Sequence, residues 1–346
     1  MDIHERLAAF WAGERPDQIP YTIYQNEWRH TQNDPAWQAM FENGLGVVWH
    51  VSPFRSEMRD VESVTEQQIS GGAEIKRQTL KTPHGEIWQS WKNGWHDKYF
   101  LKTAEDYRIM TEIVRNTNLT PQFEVVAEMQ EKVLPYGIVL IAIGRTPLQT
   151  MLVDYAGIEN FSMHLFELES EVHELYDALL DQFRKIVEIA AGAPGRFVSN
   201  LENFTAESLG PQRYAQYLLP VYQECFPVLH SAGKIVGTHY DGRTACCKEL
   251  IAGAPIDLIE SLTEPNEGDQ TLAEARAAWP DKLFWCNIRV SDYALPPSQL
   301  REKVLSLAER GSVDGKRLAF EVSEQYPENW KESMPVVLDA LKETRC

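Results

Sequence analysis

Short, β-branched apolar runs alternate with segments of helical periodicity along almost the whole chain. This alternation restricts the fold strongly, because a strand–helix–strand connection lays its two strands side by side and parallel. The runs are apolar without interruption, as in strands that are covered on both faces. The seven clearest runs are 46–51, 137–143, 196–200, 234–238, 257–260, 283–287 and 317–320.

Between these runs, apolar residues recur at helical spacing. The clearest case is 168–191, where Val172, Leu175 and Leu179 fall on one stripe. Pro220 and Pro227, in the interior of 211–231, predict that this helix is kinked or divided. The other predicted helices are 2–13, 103–116, 121–134, 243–252, 270–279, 296–310 and 327–343.

Repeated strand–helix units over this length favour an α/β fold in which 1–346 is a single (β/α)8 TIM barrel, rather than a doubly wound sheet. A glycine-rich G-x-G-x-x-G loop follows none of the predicted strands, which weakens dinucleotide binding as a function.

Residues 58–101 interrupt the alternation and are predicted to form an inserted antiparallel β-hairpin region. The segment contains Trp88, Trp91 and Trp95. These rings either form a small hydrophobic patch packed on the barrel or line its mouth as an aromatic wall where a flat substrate could stack.

Charge narrows the function. The chain has 33 Lys and Arg against 51 Asp and Glu, a formal net charge of −18. That balance argues against binding nucleic acid or docking on an anionic membrane. The sequence has no apolar stretch long enough to span a bilayer and no signal-peptide pattern, so we expect a soluble, cytoplasmic protein.

Five cysteines, an odd number without a C-x-x-C pair, predict reduced thiols and argue against a cysteine-rich zinc site. Cys286 lies inside an apolar run and is predicted to be a buried, inert thiol.

Functional residues of a parallel barrel come from the carboxyl ends of its strands and the loops that follow. The polar and aromatic residues at the predicted strand ends are Gln25, Asn26, Glu27, Trp49, His50, Arg145, Asn200, Glu202, Asn203, His239, Asp241, Glu260, Glu264, Asn287, Arg289, Glu321 and Glu324.

Four of these residues could hold a metal ion. His239 and Asp241 are two residues apart in extended chain, so their side chains point the same way. With Glu202 and Glu321 from other strand ends, they offer one nitrogen and several oxygens, a set that suits zinc acting as a Lewis acid. The simpler interpretation is that His239 and Asp241 form an oriented structural pair.

Several segments resemble the uroporphyrinogen decarboxylase superfamily. They are the opening segment Glu5–Pro20, then Lys81–Glu86 followed by Lys102–Tyr107, the stretch 200–287 with its His-Tyr-Asp-Gly motif, and Pro327–Trp330. The resemblance covers nearly the whole chain and implies a single (β/α)8 barrel.

The decarboxylase branch of that superfamily binds its substrate's carboxylates through an arginine-rich N-terminal segment. Here the corresponding Tyr21–Arg29 contains one arginine. A tetrapyrrole with many carboxylates would also meet a strongly negative protein. Decarboxylation is therefore disfavoured.

The other branch comprises cobalamin-dependent methyltransferases, which bind zinc through a His-x-Cys motif and a later cysteine. This sequence keeps the histidine as His239, has Asp241 at the first cysteine position and Glu321 near the second. The oxygen-rich set resembles the methyltransferases that demethylate ethers such as methoxylated aromatics.

The leading hypothesis is therefore a metal-assisted methyltransferase that demethylates a small methylated or methoxylated compound and passes the methyl group to a corrinoid protein. His239, Asp241 and Glu321 would be catalytic, and with Glu202 they would hold Zn²⁺. The residues expected to bind substrate are Gln25, Asn26, Trp49 and Arg289.

Two alternatives remain open. One is a metal-free lyase that uses Asp241 and His239 as general acid and base. The other is a barrel without chemistry that binds a ligand or a corrinoid partner. A homodimer, if formed, would use the outer helices or the 58–101 insertion.

Overall fold

Eight parallel strands close into a barrel. Each strand pairs with the next along the chain, and the last pairs with the first through Tyr21 with Phe320 and Thr22 with Glu321. In chain order they are β1 (Tyr21–Tyr24), β2 (Leu45–Val51), β3 (Gly137–Gly144), β4 (Phe197–Asn200), β5 (Ile235–His239), β6 (Leu258–Leu262), β7 (Leu283–Asn287) and β8 (Leu318–Glu321). The predicted (β/α)8 barrel is confirmed.

This computed structural model describes residues 1–31, 33–322 and 326–344. The chain divides into two compact units. The barrel unit comprises 1–53, 122–144 and 190–346, and the second unit comprises 54–121 and 145–189.

The barrel strands follow the apolar runs of the sequence. All five residues of β6 are buried, as expected for a strand covered on both faces. All seven predicted runs are barrel strands. The eighth strand, β1, has only four residues and is marked in the sequence chiefly by the polar residues that follow it.

Every predicted helix is present to within a few residues, and 211–231 is divided as its prolines predicted. The helices Gln25–Thr31 and Pro35–Glu42 and the helical stretch 147–167 were not predicted. Among the described residues, none of the helices combines the length and apolar character needed to cross a membrane. The α-helices are Ile3–Trp11, Gln25–Thr31, Pro35–Glu42, Ala104–Arg115, Phe123–Val133, Pro147–Gln149, Ile158–Glu167, Glu169–Gly192, Ala206–Arg213, Leu219–Ser231, Lys248–Ala252, Leu272–Ala278, Pro297–Gly311 and Trp330–Glu343; Thr150–Ala156 and Tyr214–Leu218 are π-helical, and Ala245–Cys247 and Val290–Ala294 are 3₁₀ turns.

The first helix, Ile3–Trp11, covers the amino ends of the strands. Its apolar face packs in one core cluster with Phe197, Leu258 and Leu283, the first residues of β4, β6 and β7. Trp11 is 1% exposed. Because this end of the barrel is filled, the open end is the one where the strands finish.

The second unit contains two antiparallel sheets. One pairs Phe54–Met58 with Thr117–Pro121. The other has four strands, Glu62–Ser70, Ala73–Thr82, Gly85–Lys92 and Trp95–Lys98. The predicted inserted β-hairpin region is therefore a four-stranded sheet.

The three tryptophans of this sheet differ in environment. Trp88 is half-buried between two cations, Arg77 at 4.2 Å and Lys102 at 4.4 Å from its ring. Trp91 stacks on His96, whereas Trp95 is 81% exposed. Trp88 and Trp91 thus pack within the unit, and a role for the rings in binding a substrate stays a prediction.

Candidate functional site

A cavity of about 370 Å³ lies at the carboxyl ends of the barrel strands. This is where catalytic residues of (β/α)8 enzymes gather, because eight strand ends and their loops converge there. The side chains that line the cavity are Tyr24, Gln25, Asn26, His50, Leu201, His239, Asp241, Glu260, Ser261 and Asn287.

Gln25 orients His50 within this wall. The oxygen Oε1 of Gln25 accepts hydrogen bonds from the backbone nitrogen of His50 at 2.6 Å and from its ring Nδ1 at 3.3 Å. An oxygen that already accepts from a backbone N–H is the acceptor for the ring as well, so Nδ1 carries the proton. Burial lowers the pKa of His50, which therefore is a neutral imidazole with Nε2 as acceptor.

Glu260 is the ionised carboxylate of the site. It is 2% exposed, and its Oε1 accepts a hydrogen bond from the Tyr24 hydroxyl at 2.9 Å. Its Oε2 lies 3.7 Å from His239 Nδ1. Burial alone would raise the pKa of Glu260, but the hydrogen bond and charge of His239, with a smaller effect of the hydrogen bond from Tyr24, hold that pKa below its ordinary value.

Glu321, the last residue of β8, is the opposite case. It is 1% exposed, and its Oε1 accepts a hydrogen bond from Ser261 Oγ at 3.3 Å. Burial, reinforced by the nearby charge of Glu260, raises the pKa of Glu321 well above its ordinary value. Two neighbouring carboxyl groups whose environments push their pKa values apart are a common arrangement in acid–base sites.

Ser261 connects Glu321 with His239. Its Oγ lies 3.4 Å from His239 Nδ1 and donates to Glu321. Its backbone is left-handed, with φ of 65°, and the register between β6 and β7 shifts at this point. A bulge allows neighbouring side chains of one strand to face the same side, so Glu260 and Ser261 both line the cavity. Backbone strain of this kind is concentrated at functional sites.

The four predicted metal ligands are not brought together. His239 and Glu321 share Ser261, but the exposed Asp241 lies at the rim of the cavity. Glu202 is fully buried and accepts a hydrogen bond from the Tyr222 hydroxyl at 2.7 Å, and it is not part of the cavity wall. Within the described ranges, no three His, Cys, Asp or Glu side chains are placed to hold a metal ion. The zinc site stays a prediction that requires side chains to move.

The four predicted substrate-binding residues also differ in position. Gln25 and Asn26 line the cavity. Trp49 does not; it packs edge-on against Trp28 at 5.3 Å, because successive side chains of a strand point to opposite faces and His50 takes the inner one.

Arg289 is held away from substrate by its own loop. Its guanidinium donates to both carboxylate oxygens of Asp292, at 2.9 and 2.5 Å, and to the carbonyl of Pro265. The hydrogen bond to Asp292 raises its pKa further. This arginine fixes the loop after β7 and is not among the residues that line the cavity.

Six residues of the cavity wall fall outside the predicted catalytic, binding and metal sets. Three, His50, Glu260 and Asn287, were recognised only as polar strand ends. Tyr24 and Ser261 could not be recognised as site residues from the sequence, because an aromatic residue within a strand and a serine inside an apolar run are both typical of the core. Glu324, another predicted strand-end residue, lies outside the described residues. The six are Tyr24, His50, Leu201, Glu260, Ser261 and Asn287.

Cys286 is buried as predicted, and burial raises the pKa of its thiol well above the ordinary value. A neutral, buried thiol is a poor nucleophile.

The fold and the position of the cavity define a closed parallel barrel with a polar site at its carboxyl end. No family model and no curated protein matches the sequence. Among solved structures, a methyltransferase from Methanosarcina mazei is similar over 100% of both chains, with a TM-score of 0.59 and 10% identity.

Two further structures are less similar. A B12-independent methionine synthase from a Shewanella species has a TM-score of 0.41 at 10% identity, over 89% of this chain and 84% of that one. The pneumococcal exo-β-D-N-acetylglucosaminidase StrH has a TM-score of 0.42 at 13% identity, over 95% and 86%. At such low identity the first likeness shows a shared fold, and the other two add nothing to it.

Proposed function

We propose that this protein is a methyltransferase that removes a methyl group from a small methylated or methoxylated compound bound in the cavity of the barrel mouth, and that a corrinoid protein accepts the methyl group. The observation that carries the proposal is the cluster of His239, Glu260, Ser261 and Glu321, in which Glu260 lies 3.7 Å from the imidazole, and the surroundings lower the pKa of Glu260 and raise that of Glu321. The fold shared with the Methanosarcina mazei methyltransferase is compatible with it.

His239 is the proposed general acid. The Glu260 carboxylate, 3.7 Å from Nδ1, stabilises the imidazolium form, as an acidic partner does in many His–carboxylate pairs. When the methyl–oxygen bond breaks, its electron pair stays on oxygen and His239 supplies the proton, so that the leaving group departs as a neutral alcohol or phenol.

The methyl group leaves to a nucleophile, which the reduced cobalt centre of the corrinoid protein supplies. Solvent then returns the proton to His239. In this proposal Glu321 stays neutral, so that a second negative charge does not build up beside Glu260.

The test uses 4-methoxybenzyl alcohol as methyl donor and reduced cobalamin as acceptor, with His239→Asn, Glu260→Gln and, as a matched control, His84→Asn on an exposed turn. Loss of a general acid typically lowers a rate 10²- to 10⁴-fold. We expect such a loss in the first two variants, no change in the control, and a demethylated product that appears only with acceptor present.

Other outcomes favour the alternatives. Product formation by the protein alone, unaffected by chelator, would favour the metal-free lyase. Binding of ligand or corrinoid without turnover under any condition would favour the binding-only barrel.

Zinc held by Glu202, His239, Asp241 and Glu321 is a separate proposal, because those side chains do not form a ligand set as they stand. Binding would require Glu202 to leave the hydroxyl of Tyr222. A hydrogen bond to a charged group is worth about 1.5–3 kcal/mol, so Tyr222→Phe is expected to bind zinc about tenfold more tightly or better.

The measurement is zinc content and affinity by mass spectrometry and competition with a chelating dye. The His239→Ala variant is expected to lose the ion. If Tyr222→Phe has the same affinity as the unaltered protein, Glu202 is not a ligand; if neither binds zinc, the ligand set is wrong.

A further inference from the structure

The cavity at the barrel mouth carries negative charge and lacks a fixed cation. Its wall includes two carboxylates, Asp241 at the rim and Glu260 within, whereas no Lys or Arg side chain lines it in the part of the chain that the structure describes. His50 is held neutral by burial. Two carboxylates against the single imidazole of His239 leave the wall negative whether or not that histidine is protonated.

Arg289, which follows β7 at this end of the barrel, does not change the balance. Arg289 is paired with Asp292 through two hydrogen bonds and with a backbone carbonyl. A ligand carboxylate would have to displace Asp292 to reach it, and buried bidentate pairs of this kind are strong.

The wall is also rich in hydrogen-bond acceptors that have no donor. His50 Nε2 and Asn287 Oδ1 are buried without a hydrogen-bond partner among the described residues. Buried acceptors are nearly always satisfied in a folded protein, by protein or by ordered water or ligand. A ligand that brings N–H donors would complement these atoms.

We propose that the methyl donor carries a protonated amine, which Asp241 and Glu260 attract and which donates hydrogen bonds to the acceptors of the cavity wall. An ammonium group has positive charge and three donors and no acceptor, so it matches this wall as a carboxylate cannot. The role of the ligand as methyl donor rests on the proposed function. The preference for an amine can be tested by binding alone, without methyl transfer.

The experiment compares three compounds that share a methoxyphenyl ring and differ in charge: 4-methoxybenzylamine, 4-methoxybenzyl alcohol and 4-methoxybenzoate. Binding to the full chain is measured by titration calorimetry at pH 7, at low and high salt. We expect the amine to bind at least tenfold more tightly than the alcohol, the benzoate to bind most weakly, and the preference for the amine to shrink as salt screens the charges.

Two variants localise the effect. Asp241→Asn removes an exposed charge without disturbing the core, and Glu302→Gln removes an exposed charge from the outer helix Pro297–Gly311. The first is expected to weaken binding of the amine several-fold and to leave the alcohol unchanged, whereas the second leaves both unchanged. Glu260→Gln, compared at matched fold stability, is expected to weaken binding of the amine more than Asp241→Asn does.

The inference is overturned if the benzoate binds as tightly as the amine, or if none of the three compounds binds at millimolar concentration. It is also overturned if neither Asp241→Asn nor Glu260→Gln weakens binding of the amine. Tight binding of the amine without methyl transfer would leave the charge preference standing and count against the proposed function alone. Methyl transfer from the benzoate would support the proposed function and count against the charge preference.

Discussion

Single residues decide how the two buried carboxyl groups share charge. Glu260 has Tyr24 and His239 as partners, whereas the donors to Glu321, from Ser261 and Tyr24, are all neutral. Because two neighbouring carboxylates in a buried site cannot both ionise at low cost, the better-solvated one keeps the charge and the other keeps a proton. The site thus combines a fixed anion with a neutral acid.

Glu321→Gln tests this at the residue scale. A glutamine resembles the protonated acid in shape, so the variant is expected to fold normally. A carboxyl group whose pKa is raised in the folded protein stabilises it fully below the ordinary value of about 4.5, and this contribution is lost as pH rises through the folded value.

The free energy of unfolding, measured by urea denaturation from pH 5 to pH 9, should therefore fall more steeply with pH in the unaltered protein than in the variant. Glu302→Gln, which removes an exposed charge, is the control. Its free energy of unfolding should fall with pH as steeply as that of the unaltered protein. Parallel profiles for all three proteins would mean that Glu321 is ionised in the folded state.

At this scale the sequence predicted some of the site. Gln25, Asn26, His239 and Asp241 line the cavity, as strand ends in a barrel should. Side chains alternate between the two faces of β2. That alternation could have identified His50, not Trp49, as the residue that faces the cavity. The contact between Glu202 and Tyr222 joins residues 20 apart through tertiary packing, which spacing along the chain does not encode.

At the scale of elements, lysines in the turns before two strands hold backbone carbonyls at the amino end of the barrel. Lys282, next to β7, donates to the carbonyls of Ala254 and Ile256 and is 8% exposed. Lys234, next to β5, donates to those of Ala193 and Gly195. These ammonium groups satisfy carbonyls of the preceding turns that would otherwise be buried without a partner.

Lys282→Met is expected to destabilise the fold at pH 7 by about 1–3 kcal/mol, since it leaves both carbonyls unsatisfied. Burial lowers the pKa of Lys282 to about 8 from 10.5. Between those values the unfolded chain binds more protons, so the contribution of this lysine to stability rises with pH, by at most about 1.4 kcal/mol per pH unit.

Chemical denaturation at pH 7, 8, 9 and 10 should show the difference between the unaltered protein and Lys282→Met widening toward alkaline pH. Lys98→Met, on an exposed strand of the second unit, serves as control and should change little at any pH. A difference that narrows above pH 8 would contradict the depressed pKa.

The boundaries of elements were predictable where caps mark them. Thr103 and Thr271 each form a capping box with an acidic residue three positions later, and the helices begin where those residues predict. The bulge at Ser261 was not predictable, because a serine in an apolar strand carries no mark of its left-handed backbone.

On the scale of the whole barrel, closure depends on the first helix. Trp11 contacts Phe197 at 5.2 Å and Trp285 at 5.8 Å between ring centroids, and so joins two strands far apart in the sequence. The rhythm of strands and helices predicted the barrel, but it did not predict which helix covers the amino end, because an amphipathic stripe states only that a face is buried.

Trp11→Ala is expected to destabilise the protein by about 3–5 kcal/mol, as large-to-small changes in a packed core do. Trp95→Ala, which truncates a tryptophan that is 81% exposed, should cost less than about 0.5 kcal/mol. Stability is measured by thermal and urea unfolding. If Trp11→Ala and Trp95→Ala lose the same stability, the helix does not close the barrel.

The position of that helix also governs when the chain can fold during its synthesis. Residues 3–11 leave the ribosome long before their core partners Trp285 and Ala319, and β1 leaves it long before Phe320, with which it pairs. The helix and the first strand must therefore wait, with apolar surface exposed, until nearly all of the remaining chain has emerged. Because nascent chains lengthen at about 5–20 residues per second, this wait lasts on the order of tens of seconds. A chaperone that holds this helix and strand as they emerge would shield the surface most exposed to misassembly in the interval.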